Sequence, residues 1–302
     1  MLCSNHSMHR AIPLLLLLLT ACASTKPAPV ADVAIELDRG RPLIPLRING
    51  SAPLPFLLDT ASQTPNLRGA ADPASFHFKI IGIANVGGAG SGKRKQAKLA
   101  GNVEISIGTA TFMLAELVVP DRPAPPEPPL STFGVIGKPL FDRYVVEIDW
   151  TARRVRLYEP DTFRPPHDAA ALPLTFDDAG LPYVTASLTI AEGAFPVSLS
   201  LDTGANLALG LDVGSDPRIT PPVAAAQTTL GHGVQGALRG TVGRVRRLRL
   251  GDHDLMDIET DFAAAGSPFV GTPGSHGLIG AEILQRFRVT LDVPNGRVFL
   301  AR

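Results

Sequence analysis

Two short stretches carry the residues best suited to chemistry. The first is Phe56-Leu57-Leu58-Asp59-Thr60-Ala61-Ser62. The second is Val197-Ser198-Leu199-Ser200-Leu201-Asp202-Thr203-Gly204-Ala205. In each, an apolar run that reads as a strand ends in a carboxylate and then a hydroxyl. An ionisable group at the end of an apolar strand is costly unless it is capped or used. Hydrolysis without a metal or a covalent nucleophile needs one group to take a proton from water and another to give one. Two carboxylates a few ångströms apart supply both, because like charges that close share a single proton.

The elements that position these residues come from a duplication. Asp59 and Asp202 lie 143 residues apart (202 − 59), and the offset recurs without a gap. It takes Gly88 and Gly90 to Gly231 and Gly233, and Gly108 to Gly251. It takes Gly134-Val135-Ile136-Gly137 to Gly277-Leu278-Ile279-Gly280, Arg143 to Arg286, Asp149 to Asp292, and Arg154-Val155 to Arg297-Val298. A repeat this long implies two similar lobes about a pseudo-two-fold axis rather than a solenoid. The expected fold is mostly β. Strands over Leu43 to Ile48 and Phe56 to Leu58 turn at Asn49-Gly50, and Tyr183 to Ile190 and Phe195 to Leu201 turn at Glu192-Gly193. Short helices follow at Lys138 to Arg143 and Ala281 to Arg286. Strand pairs then close each lobe, and Asp149 and Asp292 are expected to cap their turns.

A strand, Asp-Thr-Gly/Ala, a glycine-rich segment and Gly-x-Ile-Gly before a short helix resemble one lobe of an aspartic protease. The match is closer to the compact retropepsin-like lobe than to the larger pepsin lobe, and it covers roughly residues 33–302. The resemblance implies a peptidase in which Asp59 and Asp202 flank one water, with no cofactor and no metal. It implies that Thr60 and Thr203 bond to the backbone of the opposite loop, supporting the pair together with Ala61 and Gly204. It also implies two flaps over the cleft, bearing Gly88 and Gly90 in one lobe and Gly231 and Gly233 in the other. The implied substrate is a polypeptide, and the chain would be a monomer containing its own pseudo-dimer. Ala61 departs from the glycine usual at its position. A second expectation follows from it: a catalytically inactive protease-like scaffold that binds peptides or envelope components.

The remaining sequence bounds these readings. Twenty-eight basic and 28 acidic residues balance, giving no reason to expect nucleic acid. The only cysteines, Cys3 and Cys22, precede the lobes, so no disulfide framework is available. Residues 1–22 read as a targeting segment: Arg10, an apolar run from Ile12 to Leu19, then Leu19-Thr20-Ala21-Cys22. That ending resembles the processing box of bacterial lipoproteins. It implies a lipidated Cys22 and a cell-envelope location, at the outer membrane facing the periplasm. Residues 23–32 read as a flexible tether, 33–159 as the first lobe, 160–172 as a linker and 173–302 as the second lobe. Residues 121–130 form a proline-rich insert, expected to be a stiff extended loop. The histidines are scattered, no Gly-x-Ser-x-Gly signature occurs, and Arg244, Arg246, Arg247 and Arg249 read as the wet side of a strand.

Overall fold

The computed structural model describes residues 28–68, 73–87, 93, 95–120, 132–165, 169–191, 193–222, 226–233 and 236–302. The protein is mostly β, with two similar lobes and, among the described residues, two short α-helices. The first lobe is an eight-stranded sheet in the spatial order Glu36–Asp38, Arg41–Ile48, Leu54–Leu58, Gly134–Ile136, Asn66–Leu67, Ala110–Val119, Lys95–Ile107, Lys79–Val86. A further pairing of Arg41–Ile48 with Lys95–Ile107 curls it into a barrel. The second lobe repeats this order strand for strand from Thr175–Phe176 to Thr228–Gly233, with the equivalent closure between Pro182–Thr189 and Gly236–Leu250. Gly108 and Gly251 take the same left-handed turn, each at φ +57°, a conformation glycine adopts without steric cost.

A six-stranded antiparallel sheet joins the lobes. Its order is Ala31–Ala34, Arg154–Tyr158, Val145–Asp149, Arg288–Asp292, Arg297–Ala301, Ala171–Pro173. The central pair sets Val146 opposite Leu291 and Ile148 opposite Val289, all four buried. One continuous apolar core runs through both barrels and this sheet. The sheet corrects two expected boundaries. Ala31 and Asp32, read as tether, begin a strand, and Ala171 and Leu172, read as linker, form another. Each supplies an outer strand, which covers an edge that would otherwise be open for pairing.

The duplication also contains a one-residue shift, contrary to an unbroken offset. Leu67 pairs with Gly134, while Leu211 pairs with Gly277. Leu67 and Leu211 are therefore equivalent, 144 apart (211 − 67), whereas Gly134 and Gly277 are 143 apart (277 − 134). The second lobe accommodates one more residue in the loop after its aspartate.

Asp149 caps its turn, its Oδ1 accepting the Ala152 amide at 2.8 Å; Asp292 accepts no backbone amide of its turn and instead holds two side chains, Arg297 at 2.7 Å and Asn295 at 2.8 Å. Arg244, Arg246 and Arg249 face water on the Gly236–Leu250 strand, and Arg244 Nε reaches Asp257 at 2.7 Å. The helices occupy Lys138–Arg143 and Ala281–Leu284, the second two residues shorter than expected. Residues 1–22, including Cys22, the insert 121–130, and the flap residues Gly88 and Gly90 lie outside the described residues. No helix among the described residues is long and apolar enough to cross a membrane.

One carboxylate of the second lobe stands apart. Asp261 lies where the first lobe has Val118: each is paired in parallel, with Gly210 and Asn66 respectively. Partial burial, then the charges of Glu259 and Glu282, push its pKa up to about 6. The folded chain therefore holds this proton more tightly than the unfolded chain, so its contribution to stability falls as pH rises from about 4 to about 6. Asp261→Asn should raise the melting temperature at pH 7 and leave it nearly unchanged at pH 3.5, read by thermal unfolding at the two pH values. A uniform shift at both would rule out this titration as the cause.

Candidate active site

Asp59 and Asp202 sit at equivalent places. Each follows a strand that lies parallel to a Gly-x-Ile strand: Leu58 is in register with Ile136, and Leu201 with Ile279. The Asp59 amide donates to the Ile136 carbonyl at 2.9 Å, and the Asp202 amide to the Ile279 carbonyl at 3.0 Å. Each aspartate thus leaves its strand at a fixed angle and enters a tight loop. Those loops lie against the following glycines. A β-carbon built on Gly137 would stand 2.2 Å from the Ser62 carbonyl oxygen, and one on Gly280 2.2 Å from that of Leu207. Helix amides complete the support, Lys138 to the Ser62 carbonyl and Ala281 to the Ala205 carbonyl, both at 2.8 Å.

The two loops are tied by crossed threonines. Thr60 Oγ1 donates to the Leu201 carbonyl at 2.5 Å and accepts the Thr203 amide at 3.0 Å. Thr203 Oγ1 donates to the Leu58 carbonyl at 2.6 Å, and accepts the Thr60 amide at 3.1 Å. Both side chains are buried, and four hydrogen bonds join residues of different lobes. This arrangement sets the position of the carboxyls that follow Leu58 and Leu201 in the chain.

Asp59 Oδ1 accepts the Ala61 amide at 2.8 Å, and Asp202 Oδ1 the Gly204 amide at 2.9 Å. Each carboxyl perturbs the titration of the other, and the charge of Asp59 bears on Asp202. The Asp59 carboxyl leans onto the opposite loop, so that a β-carbon built on Gly204 would lie 2.5 Å from its Cγ. Ala61 carries its methyl at the matching place in the other loop.

Both aspartates keep part of their surface accessible to water. Enough protein surrounds them that desolvation is the first cause of their shifted pKa values, and both are raised. Asp202 is raised well above the usual range, by desolvation and then by the charge of Asp59; the amides of Gly204 and Ala205 oppose this. Asp59 is raised by desolvation but drawn back by the Ala61 amide, by the charge of Arg68, by its bond to Asp202 and by Arg41. Such a pair holds one proton over a broad pH range, with one member ready to accept and the other to donate.

Of the expected site residues, the structure brings together Asp59, Thr60, Ala61, Asp202, Thr203 and Gly204. Gly231 and Gly233 lie in a different element, the Thr228–Gly233 strand at the edge of the second barrel, paired with Gly236–Leu250. Sequence reading missed Arg41 and Arg68. Counting outward from an Asn49-Gly50 turn sets Arg41 opposite Leu58, and only the observed register, with Leu43 opposite Leu57, carries it to Asp59. No group of three or more potential metal ligands occurs among the described residues. No family model and no curated protein matches the chain.

Proposed function

We propose that the protein is an aspartic endopeptidase that hydrolyses polypeptides with the Asp59–Asp202 pair, resembling two fused retropepsin-like lobes. The observation that supports this most is the crossed threonine linkage, which ties together the two loops that carry Asp59 and Asp202, each aspartate keeping part of its surface accessible to water. Water bound between the carboxyls loses a proton to the ionised member as its oxygen bonds to the peptide carbonyl carbon. The protonated member gives its proton to the carbonyl oxygen, leaving a neutral gem-diol. In the second stage the C–N bond breaks: the nitrogen takes a proton from the newly protonated carboxyl, and a diol hydroxyl returns one to the other. No cofactor enters. The flap role of Gly231 and Gly233 draws support from their place beside a hairpin tip. The Leu19-Thr20-Ala21-Cys22 sequence supports a lipid anchor at Cys22, and with it a site of action at the outer membrane, facing the periplasm.

The test is cleavage of a mixed peptide library between pH 3 and 7, with new termini read by mass spectrometry. Internal cleavage by the wild-type chain, lost in Asp59→Asn, is the expected result. Cleavage that persists in Asp59→Asn would overturn the assignment. Ala61 favours a second reading, a peptide-binding scaffold without catalysis. Library members retained by the wild-type chain but never cleaved would select that reading.

Gly204 provides a steric check on the same site. A methyl there would collide with the Asp59 carboxyl, so Gly204→Ala must displace one of the two. A displacement near 1 Å costs about a hundredfold in rate. Gly204→Ala should therefore lower kcat by that order while the far-UV circular dichroism stays native. An unchanged kcat would show that the Asp59 carboxyl takes no part in the chemistry.

A further inference from the structure

The two halves of the floor are alike in backbone and unlike in charge. In the first hairpin Leu43 stands opposite Leu57, and the same register continued by two residues sets Arg41 opposite Asp59. In the second, Tyr183 stands opposite Ser200, and the same step sets Leu181 opposite Asp202. Arg41 and Leu181 are both buried, so a cation in one lobe replaces an alkyl group in the other. Arg41 is itself held by the Asp38 carboxylate.

A second position differs in the same sense. The Arg68 amide donates to the Phe133 carbonyl at 2.7 Å, and the Asp212 amide to the His276 carbonyl at 2.9 Å. Phe133 and His276 are equivalent in the duplication, so Arg68 and Asp212 occupy the same place. The buried Asp212 carboxyl is committed to the loop beside it, accepting the amides of Phe269 at 2.7 Å and Val270 at 3.4 Å. The partly exposed Arg68 makes no ion pair with any described carboxylate other than through the field of Asp59. Of the charges that stabilise the ionised form of Asp59, Arg68 is the strongest, and Arg41 adds to it. Among the described residues, the charge prominent at Asp202 is that of Asp59.

We propose that Arg41 and Arg68 break the pseudo-two-fold symmetry of the carboxyl pair and hold its single negative charge on Asp59. Duplicated lobes alone would leave the charge free to sit on either side. Two cations on one side stabilise the ionised form there, and the bond from Asp202 to Asp59 then keeps the proton on Asp202. On the endopeptidase reading, and resting on it, Asp59 is the base that takes the proton from water and Asp202 is the acid that polarises the carbonyl. Arg41 and Arg68 are positioning residues, acting through Asp59 without touching substrate.

The test uses the whole chain with the aspartate carboxyl carbons labelled with carbon-13 and followed by NMR from pH 2 to 8. Arg68→Gln removes the charge and Arg68→Lys keeps it; Arg41 is left in place because its loss would strand Asp38. In the wild-type chain Asp59 should ionise first. Arg68→Gln should move that first ionisation upward by about half to one pH unit, and Arg68→Lys should leave it near its original place. The acid limb of kcat/KM should move upward with it in Arg68→Gln alone. A first ionisation unmoved in Arg68→Gln, or one that belongs to Asp202 in the wild-type chain, would overturn the proposal. The expected carboxyl shifts in a chain that cleaves nothing would support the charge placement and remove the endopeptidase reading.

Discussion

Asp202→Asn should abolish peptide cleavage and at the same time make the protein more stable at neutral pH. The first effect follows from the loss of the proton donor: an amide at this position neither carries the shared proton nor regains one after each turnover. Removing one member of such a pair costs about a thousandfold or more in rate. The second effect has a definite sign. Desolvation and then the charge of Asp59 raise the Asp202 pKa well above its ordinary value, so the folded chain binds this proton more tightly than the unfolded chain. Stability is favoured while the pH lies below the ordinary carboxylate range and declines as pH climbs through the raised value. An amide carries no charge to bury and avoids that decline. Thermal unfolding of both chains at pH 3 and pH 7 measures this: the variant should gain only at pH 7. A variant less stable at pH 7 would mean that the carboxyl is a structural acceptor, not a strained functional acid.

Thr203→Val should be among the most destabilising single substitutions in the molecule. Valine keeps the shape but leaves the Thr60 amide without its acceptor and the Leu58 carbonyl without its donor. Thr203 is fully buried, so water does not replace either partner. Each stranded group costs about 1–3 kcal/mol, giving roughly 2–6 kcal/mol for the pair of losses. Thr203→Ser retains the hydroxyl and should cost much less, the difference being one of hydrogen bonding alone. Because the four bonds form one network, Thr60→Val and Thr203→Val together should cost less than the sum of the singles. Chemical denaturation of the wild-type chain and the four variants gives these values. Equal stability for Thr203→Ser and Thr203→Val would show that the crossed bonds contribute nothing to joining the lobes.

The main features of the site are legible in the sequence because the duplication writes them twice. Asp59-Thr60 and Asp202-Thr203 stand out as a pair, and Gly134–Gly137 with Gly277–Gly280 fixes which strands lie beneath them. The hairpins were readable from alternation and from Asn49-Gly50, where Asn49 and Gly50 both take positive φ. Other features depend on partners far away in the chain. Ala31 and Asp32 look like tether and Ala171 and Leu172 like linker, because the four-residue and three-residue strands they begin carry little periodic signal. They become strands only when the lobe ends offer them edges. The extra residue after Asp202 was hidden because identities on both sides of it keep the same offset, and only the pairing of Leu67 and Leu211 exposes it. Arg68 was missed for a related reason. Its equivalence to Asp212 follows from where two backbone amides point, and no count along the sequence yields it.

The central claim is one proton and one water shared by two carboxyls, and neutron diffraction from deuterated crystals near pH 5 tests it most directly. The account predicts a single solvent molecule within hydrogen-bond distance of both Asp59 and Asp202. It also predicts one deuteron on the pair, carried by Asp202. Two bare carboxylates, each with its own separate solvent, or a deuteron on both groups with no bridging solvent, would contradict it.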